Sequence, residues 1–182
     1  MGTDCLTEHF LPSYVPTLGS LLNARRTLKP IARKGARILL AAVPSPFKWT
    51  PLPCAAVEVT HIRDALPPNS LIDCSLDSAQ PSTATRSATK QDVLDNLPDA
   101  SILHLACHGY QDPISPLDSG FIMKDEMLSV SSLMSMKLPN AFLAFLSACE
   151  TAKGDEKQPD QAIHLAATML YAGFKSVIGT MW

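Results

Sequence analysis

His108 and Cys149 are a base and a nucleophile that occupy equivalent places in two similar runs of this sequence. Ile102-Leu103-His104-Leu105-Ala106-Cys107 leads into His108-Gly109, and Phe142-Leu143-Ala144-Phe145-Leu146 leads into Ser147-Ala148-Cys149-Glu150-Thr151. An apolar run that stops at a polar or small residue reads as a buried parallel strand, and ligands of open α/β sheets sit beyond the carboxyl ends of such strands. On neighbouring strands the two side chains would face each other across one crevice, where an imidazole can activate a thiol. An ordinary thiol titrates near ~8.5 and is mostly protonated at neutral pH, so a partner has to raise its thiolate share. The pattern points to a cysteine peptidase site. The plainer alternatives are a buried, inert cysteine and a strand-end histidine satisfied by solvent.

Other residues near the pair take subordinate places. Gly109 lacks a Cβ and would let a substrate carbonyl approach the backbone. His104, Cys107, His108 and Cys149 together suggest zinc. Strand alternation, however, puts His104 and His108 on one face and Cys107 on the other, so the four do not converge, and no metal or cofactor is expected. His104 is expected in the core or just behind the dyad. His9, His61 and His164 have no partner at useful spacing. Gly173 and Gly179 belong to no nucleotide-binding motif and read as a helix C-cap and a strand-end turn, while Leu165, Met169 and Ala172 form a packing stripe.

The elements that must position the pair follow from periodicity and breakers. Residues 16–28 have helical spacing and stop at Lys29-Pro30, within a leading helical segment 1–35. Residues 38–43 form a buried strand, 44–53 a breaker-rich connection, and 55–65 a helix ended by Leu66-Pro67-Pro68. A short strand is expected at 71–75 and a mobile surface loop at 77–88. Thr89 caps a helix to Leu97 with Asp92 in its first turn. Strand 102–106, a connection holding 121–128, a short helix at 130–136, strand 142–146, helix 160–171 and strand 176–180 complete the chain. Strands alternating with helices imply an α/β fold with right-handed crossovers and a mostly parallel sheet covered on both faces.

The bulk numbers narrow the function class. A chain of 182 residues, 46% apolar and 18% charged, is one globular domain with no internal repeat. A net charge of -2 supplies no basic surface for nucleic acid or an anionic membrane, and no apolar stretch approaches a bilayer span. Leu6 stands where a myristoylation signal after Gly2 requires Ser or Thr. Cys5, Cys54, Cys74, Cys107 and Cys149 are odd in number and widely spaced, which reads as free thiols in a reducing cytoplasm.

His108-Gly109, the run Leu146-Ser147-Ala148-Cys149-Glu150-Thr151, Gly154-Asp155-Glu156, and Ala172-Gly173 with Val177-Ile178-Gly179-Thr180-Met181-Trp182 together resemble the CHAT domain. Leu52-Pro53-Cys54-Ala55 with Glu58, and Leu11-Pro12-Ser13-Tyr14-Val15-Pro16-Thr17-Leu18, are similar to its upstream segments. The resemblance implies a caspase-like three-layer α/β/α sandwich, related to separases, metacaspases and legumain and often joined to tetratricopeptide repeats. It also implies a cysteine endopeptidase acting on protein or peptide in a signalling or defence assembly. His108 and Cys149 would be catalytic, and the backbone N–H groups of Gly109 and Cys149 would form the oxyanion hole. Glu150, Asp155 and Glu156 would shape a pocket for a basic substrate side chain. Ala152 replaces a glycine common in the family, and the chain ends where further strand and helix are expected, so the resemblance suggests an incomplete domain. The alternative function is a catalytically silent interaction module of the same fold.

Overall fold

The structure is a computed structural model that describes residues 15–26, 35–76, 85–112, 114–148 and 165–179. Its strands are β1 (Ile38–Ala42), β2 (Leu71–Asp73), β3 (Ile102–Tyr110), β4 (Gly120–Ile122), β5 (Met127–Ser129), β6 (Leu143–Ala148) and β7 (Ser176–Gly179). Its α-helices are α1 (Leu18–Arg26), α2 (Pro53–Ala65), α3 (Lys90–Asn96), α4 (Val130–Met134) and α5 (Leu165–Tyr171). Five strands pair in parallel in the order β2, β1, β3, β6, β7. The β4–β5 hairpin pairs antiparallel with the far end of β3. The mostly parallel sheet with helices on both faces is thus the expected α/β/α sandwich.

Alternation along β3 sorts the two layers. Leu103, Leu105 and Cys107 belong to a large apolar core with Val93 of α3, Val130 and Leu133 of α4, and Leu165 and Met169 of α5. Ala106 lies on the opposite face, in a small cluster with Ala42 and with Ala55 and Val59 of α2. Small side chains there let α2 approach the sheet closely, because what fills the gap between layers is side-chain volume.

Several local signals act as their chemistry dictates. Thr89 and Asp92 form a reciprocal capping box at α3, satisfying two otherwise orphaned N–H groups. Gly173, with φ +118°, ends α5: its N–H reaches Leu170 and that of Phe174 reaches Met169, the pair of bonds that closes a helix through a residue in positive φ.

Most expected boundaries shift by one or two residues, the strand expected at 142–146 being Leu143–Ala148, and three differences have a visible cause. The strand expected at 102–106 continues to Tyr110, because His108, Gly109 and Tyr110 pair with Ile122, Phe121 and Gly120 of the hairpin. The strand expected at 71–75 stops at Asp73. Ser75 instead turns inward, where its hydroxyl accepts from Ala42 N–H at 2.6 Å. Of the loop expected at 77–88, the described residues 85–88 are fastened: Arg86 N–H donates to the Ser75 carbonyl and Ala88 N–H to the Ala42 carbonyl, with Ser87 and Ala88 buried.

Candidate active site

The carboxyl ends of β1, β3 and β6 form one rim of the sheet, at the point where the strand order reverses between β1 and β3. The β3–β6 ladder pairs His104 with Phe145, Ala106 with Ser147, and Cys107 with Ala148, its last described pair. His108 is the next residue on β3. It shares its face with His104 and Ala106, the face that α2 covers.

His108 is half-buried, and its ring is held from two sides. Nε2 lies 2.7 Å from the carbonyl oxygen of Thr50. A carbonyl only accepts, so Nε2 carries the hydrogen and Nδ1 of the neutral ring keeps its lone pair, which makes Nδ1 the basic nitrogen. The indole of Trp49 stands 5.4 Å from the imidazole between ring centres and meets Tyr110 edge-on at 6.3 Å. Both contacts come from the connection after β1. Its neck is tied by the Leu52 N–H to the Pro44 carbonyl, and Ser87 Oγ accepts from Ser45 N–H. Lys48 beside Trp49 has φ +63°, a conformation that a residue with a Cβ adopts at a cost of order ~1 kcal/mol or more.

Beneath the rim lies a polar cluster. His104 is buried and stacks on Phe145 at 5.0 Å between ring centres. Glu58 of α2 spans both strands. One of its oxygens, Oε2, accepts from Ser147 Oγ of β6 at 2.9 Å, and the other, Oε1, lies 3.0 Å from His104 Nε2 of β3. The second contact has the distance of an ion pair but not the directionality of a hydrogen bond. Burial pushes the His104 pKa below its ordinary 6.5, against the opposing pull of Glu58, so the ring is favoured in its neutral form.

Of the predicted site residues, the structure places His108, Gly109 and His104. Gly109 is buried in β3 opposite Phe121. Cys149, Glu150, Asp155 and Glu156 lie outside the described residues, as do His9, His164 and Ala152. His61 is exposed on α2. Cys54 and Cys74 are free thiols, and burial, with Asp92 and Asp73 adding to it against Arg86, pushes Cys74 up to about 12, which makes it a poor nucleophile. Sequence reasoning missed Thr50 and Trp49. A backbone carbonyl carries no residue-type signal, but an aromatic residue in the connection leaving the carboxyl end of β1 is one. Glu58 had a signal as well, since with Ala55 and Val59 it shares the inward stripe of α2.

The family model of the CHAT domain matches residues 2–182. No curated protein matches the chain. Among the described residues no helix is long and apolar enough to cross a membrane.

Proposed function

The chain belongs to the CHAT domain family, a caspase-like, peptidase-related family, and on that footing we propose that it is a cysteine endopeptidase working through His108 and Cys149. The observation that carries this reading is the β3–β6 register, which reaches Cys107 opposite Ala148, the residues that immediately precede His108 and Cys149 in the chain. The residues that lead to each position lie on the face of α2: Ser147, two residues before Cys149 in the chain, meets Glu58 of α2, and His108 is two residues beyond Ala106 in the α2 cluster.

In this mechanism Nδ1 of His108 takes the thiol proton of Cys149, and the sulfur adds to a peptide carbonyl. Backbone N–H groups of Gly109 and Cys149 stabilise the oxyanion, and the imidazolium gives its proton to the departing amine. His108 then takes a proton from water, which attacks the thioester and releases the acyl group. The Thr50 carbonyl holds Nε2–H throughout and interacts more strongly once the ring is charged, so the same bond orients the base and stabilises its protonated form. The substrate class is protein or peptide.

The test is the rate at which a peptide bearing a thiol-directed group labels Cys149, mapped by mass spectrometry. Loss of a general base typically costs about 10²–10⁴-fold, and His108→Ala is expected to slow labelling by that order while Cys74 stays unlabelled in both proteins. Equal labelling of Cys149 with and without His108 would overturn the peptidase and leave the fold as a silent interaction module.

A further inference from the structure

We propose that Glu58 is a positioning residue: with one oxygen accepting from Ser147 and the other in close electrostatic contact with His104, it reinforces the relative height of β3 and β6 beneath the rim. The proposal rests on the peptidase reading for its consequence in catalysis, but not for its geometry.

Three observations carry it. First, one carboxyl group reaches two adjacent strands, at 2.9 Å to Ser147 Oγ and 3.0 Å to His104 Nε2, from a helix whose buried residues are Ala55 and Val59. Second, the two residues it touches are close neighbours across the strand pair, His104 opposite Phe145 and Ser147 opposite Ala106, and the His104 ring stacks on Phe145. Third, each residue it touches precedes a dyad position in the chain: His104 is four residues before His108 on β3, and Ser147 is two before Cys149. A slip of β6 against β3 would change the separation of the two dyad positions, and Glu58 opposes that slip. Apolar contact on this face has no direction: Ala42, Ala55, Val59 and Ala106 cluster there, and buried Leu40 lies beside His104 in the β1–β3 register. Direction comes from the hydrogen bond of Ser147 to Glu58, with the His104 contact adding electrostatic attraction.

Glu58→Ala, Glu58→Gln and Ser147→Ala are compared with wild type by two readouts. The first is amide hydrogen exchange along β3 and β6. The second is the pH midpoint of Cys149 labelling by the same peptide probe. In Glu58→Ala the amides of Ser147 and Ala148 are expected to exchange about tenfold faster or more, the scale set by losing a hydrogen bond to a charged group, while those of Leu39 and Leu40 in β1 are unchanged. The labelling midpoint is expected to rise toward the ordinary thiol value near ~8.5, since a displaced imidazole no longer assists ionisation.

Glu58→Gln keeps an oxygen for Ser147 and offers an N–H to the other tautomer of His104, so it is expected to restore both readouts. A general loss of stability would not shift the midpoint. Unchanged exchange and midpoint in Glu58→Ala overturn the proposal. Should that variant fail to fold, Ser147→Ala removes the β6 arm alone, and wild-type exchange at Ala148 there overturns it equally. Labelling indifferent to His108 in wild type sinks the peptidase reading instead, and the exchange result still decides whether Glu58 ties the strands.

Discussion

The two faces of the sheet differ in the size of their apolar clusters and in the polar groups they carry. Under α3, α4 and α5 the sheet buries Leu103, Leu105, Leu146, Phe121 and Phe174 in one continuous apolar core. Under α2, Ala42, Ala55, Val59 and Ala106 form a small cluster, Leu40 and the Phe145 ring lie beside His104, and the same face carries Glu58, His104, Ser147 and, at the rim, His108. Every β-strand serves both faces, so one face can hold the fold while the other is free to carry ionisable groups. The larger apolar cluster lies on one face, and the polar contacts of Glu58, His104 and Ser147 lie on the other.

Four substitutions or conditions sharpen that contrast. Phe121→Ala, in the apolar core with no exposure, is expected to cost about 3–5 kcal/mol in denaturant unfolding; a loss below about 1 kcal/mol would break the claim that this face holds the fold. Gly120→Ala comes next. A Cβ there would stand 2.3 Å from the Leu128 carbonyl oxygen, so the hairpin that pairs with His108–Tyr110 has to open, with an expected loss of about 1–3 kcal/mol and faster amide exchange in β4 and β5.

Trp49→Ala removes a half-exposed ring contact worth about 0.5–1.5 kcal/mol, so its thermal shift should be small. Its expected effect is on the orientation of His108, read as slower labelling of Cys149 at unchanged stability.

The fourth test is acid titration of stability, where the faces should answer in different windows. His104 has a folded pKa below its ordinary 6.5, so the unfolded chain binds the extra proton first. The stability it contributes is present above 6.5 and lost as pH falls below that value. Asp92, beneath the other face, is raised by burial but lowered further by Arg86 and Thr89, to about 2 from 3.8; its contribution is intact above 3.8 and is lost as pH falls through about 2. His104→Phe should flatten the upper limb alone, and Asp92→Asn the lower one. A single limb common to both variants would contradict the separation.

Much of this was legible in the sequence. The buried strands β1, β3 and β6 appear as apolar runs, and the capping box of α3 and the glycine closing α5 carry local signals that need no tertiary context. The face assignment of His104 and His108 against Cys107 follows from alternation alone. The extension of β3 to Tyr110 was not legible, because its pairing partner is a hairpin whose strands are three residues each, too short for a period to show. Ser75 and residues 85–88 escaped for a related reason: polar and small residues read as loop, yet here they satisfy the backbone at the end of β1. At the site, the histidine was visible and its anchor was not, since Thr50 acts through a carbonyl that every residue possesses.

The most direct measurement is a crystal structure of the protein with the peptide probe bound to Cys149. The account predicts Sγ within about 3–4 Å of His108 Nδ1, on the α2 face, with Nε2 still on the Thr50 carbonyl. A sulfur lying on the opposite face of the sheet, or separated from the imidazole by packed side chains, would contradict it.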